Sequence, residues 1–137
     1  MILLDTGPLV AALDDTDQWH GWVSPRLREL REPLWTCGAV LSQTSFLRRR
    51  HPPAIDRLRG LVRGGVIRPV NEGAPLWNRS LELMDRYANV PMSFADACLV
   101  ALAEAMPEAR IFTLDRDFLI YRRQEDDRLG LLAPFAG

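Results

Sequence analysis

Short apolar runs alternate with longer stretches of helical periodicity along this chain, and that alternation restricts the possible folds more than any other feature. Met1 to Asp5 reads as a short buried strand, and Gly7-Pro8 opens a helix, because proline is tolerated in a first helical turn. Between 17 and 31, Trp19, Trp22, Val23, Leu27 and Leu30 recur at helical spacing with charged residues between them. Leu34 to Thr36 reads as a second strand, and Val40, Leu41, Thr44 and Leu47 continue as a helix that Pro52-Pro53 stops. Ile55, Leu58, Leu61 and Val62 line the next helix, Gly64-Gly65 ends it, and Val66 to Val70 is a third strand. A longer helix follows over about 75 to 88. Ser93 then caps an apolar helix from Phe94 to Ala105, which must be packed on both sides, and Ile111 to Leu114 is a strand ending in Asp115. Strands alternating with helices imply an α/β fold, a mostly parallel sheet of four to five short strands with helices on both faces. No linker or repeat interrupts it, so residues 1–137 read as one domain.

Composition narrows the function classes. No uninterrupted apolar run approaches the ~20 residues needed to cross a bilayer, which speaks against a membrane protein. No basic segment precedes a long apolar one at the start, so the expected compartment is the cytoplasm. Cys37 and Cys98 lack metal-type spacing, each falls in a predicted helix, and they read as buried free thiols. A net charge of −1 argues against nucleic-acid binding through overall positive charge. All 17 basic residues are arginine, however, and they cluster as Arg26, Arg28 and Arg31, as Arg48 to Arg50, and as Arg57, Arg59 and Arg63. Arginine grips phosphate bidentately, which suits an RNA surface, although solvated helix faces account for such clusters equally well.

The acidic residues carry the chemistry. Asp5 and Asp115 fall at strand ends, where parallel α/β sheets form their ligand crevice, and Asp96 lies on the first turn of the apolar helix. Each has an ordinary structural explanation. Asp5 can form an Asx turn, Asp96 stands at capping-box spacing from Ser93, and Asp115 can cap the turn before Phe118. Three such explanations converging by accident is the weaker account, and Asp117 adds a fourth acid beside the third. Carboxylates held together need a cation or a proton between them. Hard oxygen donors without nearby His or Cys point to Mg²⁺ or Mn²⁺, one ion or two, and such ions activate water and stabilise a departing oxygen in phosphodiester cleavage. His20 and His51 read as packing or surface residues. A haloacid-dehalogenase-type phosphatase needs an aspartate where Gly7 stands, and a receiver domain needs a late lysine, of which the chain has none.

Three segments in their order and spacing carry a resemblance through nearly the whole chain: Leu3-Leu4-Asp5-Thr6-Gly7-Pro8-Leu9-Val10, Phe94-Ala95-Asp96-Ala97-Cys98-Leu99-Val100-Ala101 and Ile111-Phe112-Thr113-Leu114-Asp115-Arg116-Asp117-Phe118. By these the chain resembles PIN-domain proteins, specifically the single-domain VapC-type toxin ribonucleases. The resemblance implies a Mg²⁺- or Mn²⁺-dependent endoribonuclease that works as a homodimer and is neutralised by a small antitoxin protein. It places Asp5, Asp96 and Asp115 as catalytic metal-site residues, Asp117 as a further acidic position, and Thr6 and Thr113 in support. It also implies a groove near the first helices for the antitoxin tail, with Trp19 and Trp22 as candidates for part of it, although ordinary core packing is the simpler account of both tryptophans. By analogy, products would carry a 5′-phosphate and a 3′-hydroxyl.

One position departs from the pattern. In Ala39-Val40-Leu41-Ser42-Gln43-Thr44-Ser45-Phe46-Leu47 the family would place a glutamate where Gln43 stands, and glutamine offers a carbonyl oxygen without charge. Losing that charge beside a divalent ion costs on the order of a few kcal/mol at an effective dielectric near 20. Three readings stand open at this level. They are a weakened site that works with Mn²⁺, an inactive domain kept as an RNA- or antitoxin-binding module, and a substitution introduced to make a toxic nuclease tolerable.

Overall fold

Three-residue strands are too short to stand alone, so their position in a shared parallel sheet decides this architecture. The computed structural model describes residues 1–136. In chain order the elements are β1 (Ile2–Leu4), α1 (Thr6–Leu13), α2 (His20–Glu29), β2 (Leu34–Thr36), α3 (Gly38–Leu47), α4 (Pro52–Arg63), β3 (Ile67–Pro69), α5 (Ala74–Arg86), α6 (Phe94–Ala105), β4 (Arg110–Phe112) and β5 (Gly130–Leu132). Short 3₁₀ turns at Arg116–Leu119 and Gln124–Asp126 lie between β4 and β5.

The sheet order is β3-β2-β1-β4-β5, and every neighbouring pair is parallel. Right-handed crossovers then put α1 to α4 on one face and α5 and α6 on the other. The chain leaves β1 toward β2 and β3, and returns to the opposite side of β1 as β4. The switch point of the sheet is therefore between β1 and β4, where a ligand crevice is expected beyond the strands' carboxyl ends.

Burial follows the sequence pattern. Ile2, Leu3 and Leu4 are all buried, as a central strand covered on both faces requires. Helix α6 is buried from Ala97 through Ala103, which accounts for its nearly unbroken apolar run. Helices α4 and α5 begin with proline in their first turn, where a missing N–H costs nothing. Gly64 caps the end of α4, and Gly65 follows at φ +75°, a backbone conformation that favours glycine. Helix α2 is shorter than the predicted 17 to 31 and carries Pro25 within it.

Other expectations need correction. Strand β4 ends at Phe112, so Asp115 lies three residues beyond the strand and caps the following 3₁₀ turn. Cys37 is not within a helix but at the N-cap of α3, although it and Cys98 are both buried free thiols as expected. Trp22 is a packing residue, edge-on to Phe112 at 6.0 Å with the Arg26 guanidinium stacked over it at 4.0 Å. An apolar cavity of about 290 Å³ beside α2 is lined by Leu9, Leu27, Leu30 and Leu61 among others.

The pairing of α5 with α6 includes one demanding polar contact. Arg79 donates from Nε and Nη2 to the two oxygens of Glu104, at 3.2 and 3.0 Å, and the Glu104 side chain is only 6% exposed. Removing the guanidinium strands a nearly buried carboxylate. Arg79→Ala is expected to lower stability by about 2 kcal/mol, at the low end for a broken buried pair because the arginine itself is partly solvated. Denaturant unfolding of this variant beside Glu104→Gln, which should lose less, checks that assignment.

Candidate active site

Asp5 follows β1 directly, and its N–H is still held by the carbonyl of Phe112 on β4 at 3.0 Å. The residue is thus fixed at the junction of the two central strands. Its side chain caps α1, with Oδ1 accepting from the Thr6 N–H at 2.8 Å. Oδ2 accepts from the Thr113 hydroxyl at 2.7 Å. Since Thr113 Oγ1 already accepts the Asp115 N–H at 3.0 Å, its own proton is free for Asp5. One buried hydroxyl therefore couples Asp5 to the segment that carries Asp115.

Asp115 in turn caps its own 3₁₀ turn, accepting from the Asp117 N–H at 2.9 Å. Ser93 caps α6 by accepting from the Asp96 N–H at 3.0 Å. The capping explanation for Asp96 is thus half realised. Its Oδ2 takes a bond from the Tyr121 hydroxyl at 3.1 Å. Gly7 lets α1 approach the same region, since a Cβ there would lie 3.3 Å from Leu114 Cβ, tighter than ordinary contact.

These segments meet in a cleft of about 450 Å³ at the carboxyl ends of β1 and β4. Asp5, Asp96, Asp115 and Asp117 all line it, with Thr6 and Gln43 on the α1 and α3 side. Gln43 is exposed, and its Oε1 accepts from the Thr6 hydroxyl at 2.7 Å. Thr113 lies beneath the cleft, fully buried, and acts through Asp5.

The electrostatics are those of carboxylates in want of a positive charge. Burial pushes the Asp5 carboxyl up from the usual carboxylate range to about 7. The Thr113 hydroxyl and Thr6 N–H pull it down, whereas the charges of Asp96 and Asp115 push it further up. Burial likewise raises Asp96, aided by Asp115 and Asp117 and opposed by the Tyr121 and Ser93 hydroxyls. Among the described residues, no three His, Cys, Asp or Glu side chains already enclose a single point tightly enough to grip an ion. The donor set is nevertheless all hard oxygen, which matches Mg²⁺ or Mn²⁺ in kind.

The arginine clusters go elsewhere. Arg48 pairs with Asp14, Arg49 stacks on Phe46, Arg59 pairs with Asp56, and among the described residues no arginine lines the acidic cleft. His20 is tied to the Ala11 carbonyl and the Ser24 hydroxyl in a packing role, and His51 is exposed at the N-cap of α4. Sequence reasoning misses Tyr121. It lies in an irregular stretch without periodicity, and only the tertiary fold brings it to Asp96.

The PIN domain family profile matches residues 2–124, and the chain belongs to that family. Among solved structures, VapC20 of Mycobacterium tuberculosis, described as a Sarcin-Ricin loop cleaving toxin, superposes with a TM-score of 0.76 at 22% sequence identity. The match covers 85% of this chain and 92% of that one, and it establishes a shared fold. No curated protein matches the chain.

The raised Asp5 value has a direct thermodynamic consequence. Between its unfolded value near 4 and its folded value of about 7, the native state holds a proton that the unfolded chain has lost. Its contribution to stability is complete below about pH 4 and disappears as pH rises through about 7, and Asp96 acts in the same direction. In chelator, the protein should melt several degrees higher near pH 5.5 than near pH 8, and Asp5→Asn, which cannot ionise, should narrow that gap. Identical pH dependence in the two proteins would refute the assignment.

Proposed function

We propose that this chain is a divalent-metal-dependent endoribonuclease, the toxin of a toxin–antitoxin pair. The observation that carries the reading is the convergence of Asp5, Asp96, Asp115 and Asp117, from three separate segments, on one cleft at the switch point of the sheet. Membership of the PIN domain family supports it, as does the fold shared with a toxin that cleaves the Sarcin-Ricin loop. An RNA loop is accordingly the proposed substrate.

On this reading Asp5, Asp96 and Asp115 hold Mg²⁺ or Mn²⁺, as one ion or two, with Asp117 completing the set. The ion would supply Lewis-acid chemistry, polarising the phosphodiester and lowering the pKa of water at neutral pH. The protein's own groups do the rest. Thr113 and the Thr6 N–H hold Asp5 in one rotamer, and the Asp117 N–H holds Asp115, so the donors need little reorganisation when charge is brought to them. Thr6 also orients Gln43, whose carbonyl is the neutral donor at the cleft's edge.

A homodimer, a small antitoxin protein and a cytoplasmic location belong to the same proposal and rest on the resemblance. Among the described residues no helix is long and apolar enough to cross a membrane. A second reading, an RNA- or antitoxin-binding module with weakened or lost catalysis, is favoured by one feature: Gln43 occupies the cleft without bringing charge.

Cleavage of a hairpin RNA in Mn²⁺ tests the leading reading. Activity should vanish in excess chelator and in Asp5→Ala, and Asp96→Asn should slow cleavage by at least about a hundredfold. Persistence of cleavage in chelator would sink it, and binding without turnover in the wild type would leave the second reading standing. Gln43→Glu should tighten Mn²⁺ binding about tenfold or more and raise turnover in Mg²⁺, since a full charge at this range contributes roughly 2 kcal/mol. Unchanged metal affinity in that variant would show that position 43 lies outside the metal's reach.

A further inference from the structure

We propose that Tyr121 is a positioning residue for Asp96, a phenol that fixes one carboxylate oxygen so that the other is presented to the cleft. The inference rests on the metal-site reading above. Tyr121 is completely buried, and its hydroxyl donates to Asp96 Oδ2 at 3.1 Å. Its ring is held edge-on by Tyr87 and Phe118, at centroid distances of 5.1 and 5.2 Å. Its backbone is fixed as well. The Tyr121 N–H donates to the Asp117 carbonyl at 3.3 Å, which ties it to the turn that carries Asp117.

The consequence is a brace between two of the three acidic segments. Asp115 and Asp117 belong to the 3₁₀ turn that runs into Tyr121, whereas Asp96 belongs to α6 on the other side of the cleft. Thr113 joins Asp5 to Asp115 by one hydroxyl, and Tyr121 joins Asp96 to the same turn by another. A rigid aromatic with two side-chain torsions, packed on both sides, sets the Asp96 rotamer with little freedom left. Groups of this kind, one bond removed from a metal ligand, typically alter metal affinity by about 10- to 100-fold when they are lost.

A merely structural tyrosine would behave differently, and Tyr87 provides the comparison. It lies in the same aromatic cluster, and its hydroxyl is also engaged, but with a backbone N–H and not with Asp96. The experiment titrates Mn²⁺ into the full chain and follows free Mn²⁺ by its paramagnetic resonance signal. Four further proteins are compared with the wild type: Tyr121→Phe, Tyr87→Phe, Asp96→Ala and Tyr121→Phe combined with Asp96→Ala. Thermal melts confirm that each is folded.

Tyr121→Phe is expected to weaken Mn²⁺ binding between about 10- and 100-fold, and Tyr87→Phe to leave it within about threefold of wild type. In the Asp96→Ala background, Tyr121→Phe should add little, because the acceptor through which the phenol acts is gone. Wild-type affinity in Tyr121→Phe overturns the proposal, as does an equal loss in Tyr87→Phe or a full, additive loss on Asp96→Ala. Absence of Mn²⁺ binding by the wild type is a separate failure: it removes the metal-site reading itself and the proposal with it.

Discussion

The hydroxyl of Thr113 is the contact on which the rest of the cleft depends. It accepts from the Asp115 N–H and donates to a carboxylate that is only 5% exposed, and so joins the segment after β4 to the first residue after β1. That junction exists because β1 and β4 are neighbours in register, with Leu4 opposite Phe112. A slip of one residue would carry Asp5 to the other face and leave Thr113 without its acceptor. The parallel sheet therefore does more than form a core. It sets the spacing between two acidic segments that lie more than a hundred residues apart in sequence.

Holding carboxylates in this way opposes folding. Burial alone disfavours the charged form of Asp5, and Asp96 and Asp115 add repulsion. The surrounding structure answers with local bonds, one to Asp115, two to Asp5, and hydroxyls from Tyr121 and Ser93 to Asp96. These compensate in part, since both Asp5 and Asp96 remain raised. A buried Asp5 and a half-buried Asp96 left in that state beside two further acids are the signature of a site arranged for something other than stability. Structural caps alone do not account for it, because capping a helix does not require a neighbour's charge nearby.

Much of this is legible in the sequence, for reasons that differ from element to element. Helix α6 runs from Phe94 to Ala105 as its apolar pattern and Ser93 cap require, and β2 falls on Leu34 to Thr36. Both signals are local. Strand β5 enters the sequence reading only as the upper end of a four-to-five-strand range, because Gly130-Leu131-Leu132, partly exposed at the sheet edge, is too short to show a strand pattern of its own. Asp5, Asp96, Asp115 and Asp117 stand out through the motifs that contain them, and the cleft gathers all four. Tyr121 is invisible for the opposite reason: nothing adjacent in sequence distinguishes it, and its partner lies 25 residues away. Trp22 reads from sequence as core packing or as a candidate groove wall, because aromatic periodicity on a helix does not distinguish the two, and it is partly buried against the core, edge-on to Phe112.

Gln43 is best understood within the same balance of charge and burial. A glutamate there would bring another negative charge toward carboxylates whose ionisation is already disfavoured. With glutamine, the Thr6 hydroxyl still finds a carbonyl acceptor, so the local geometry survives while the repulsion does not grow. Glutamine at this position thus spares the metal-free fold some repulsion and, on the metal-site reading proposed above, gives up more attraction than that, because a divalent ion at ligand distance is both closer and more highly charged than a neighbouring carboxylate. On that same proposed reading, glutamine at this position would show itself in the concentration of metal needed before it showed itself in the shape of the backbone, since the Thr6 contact is kept.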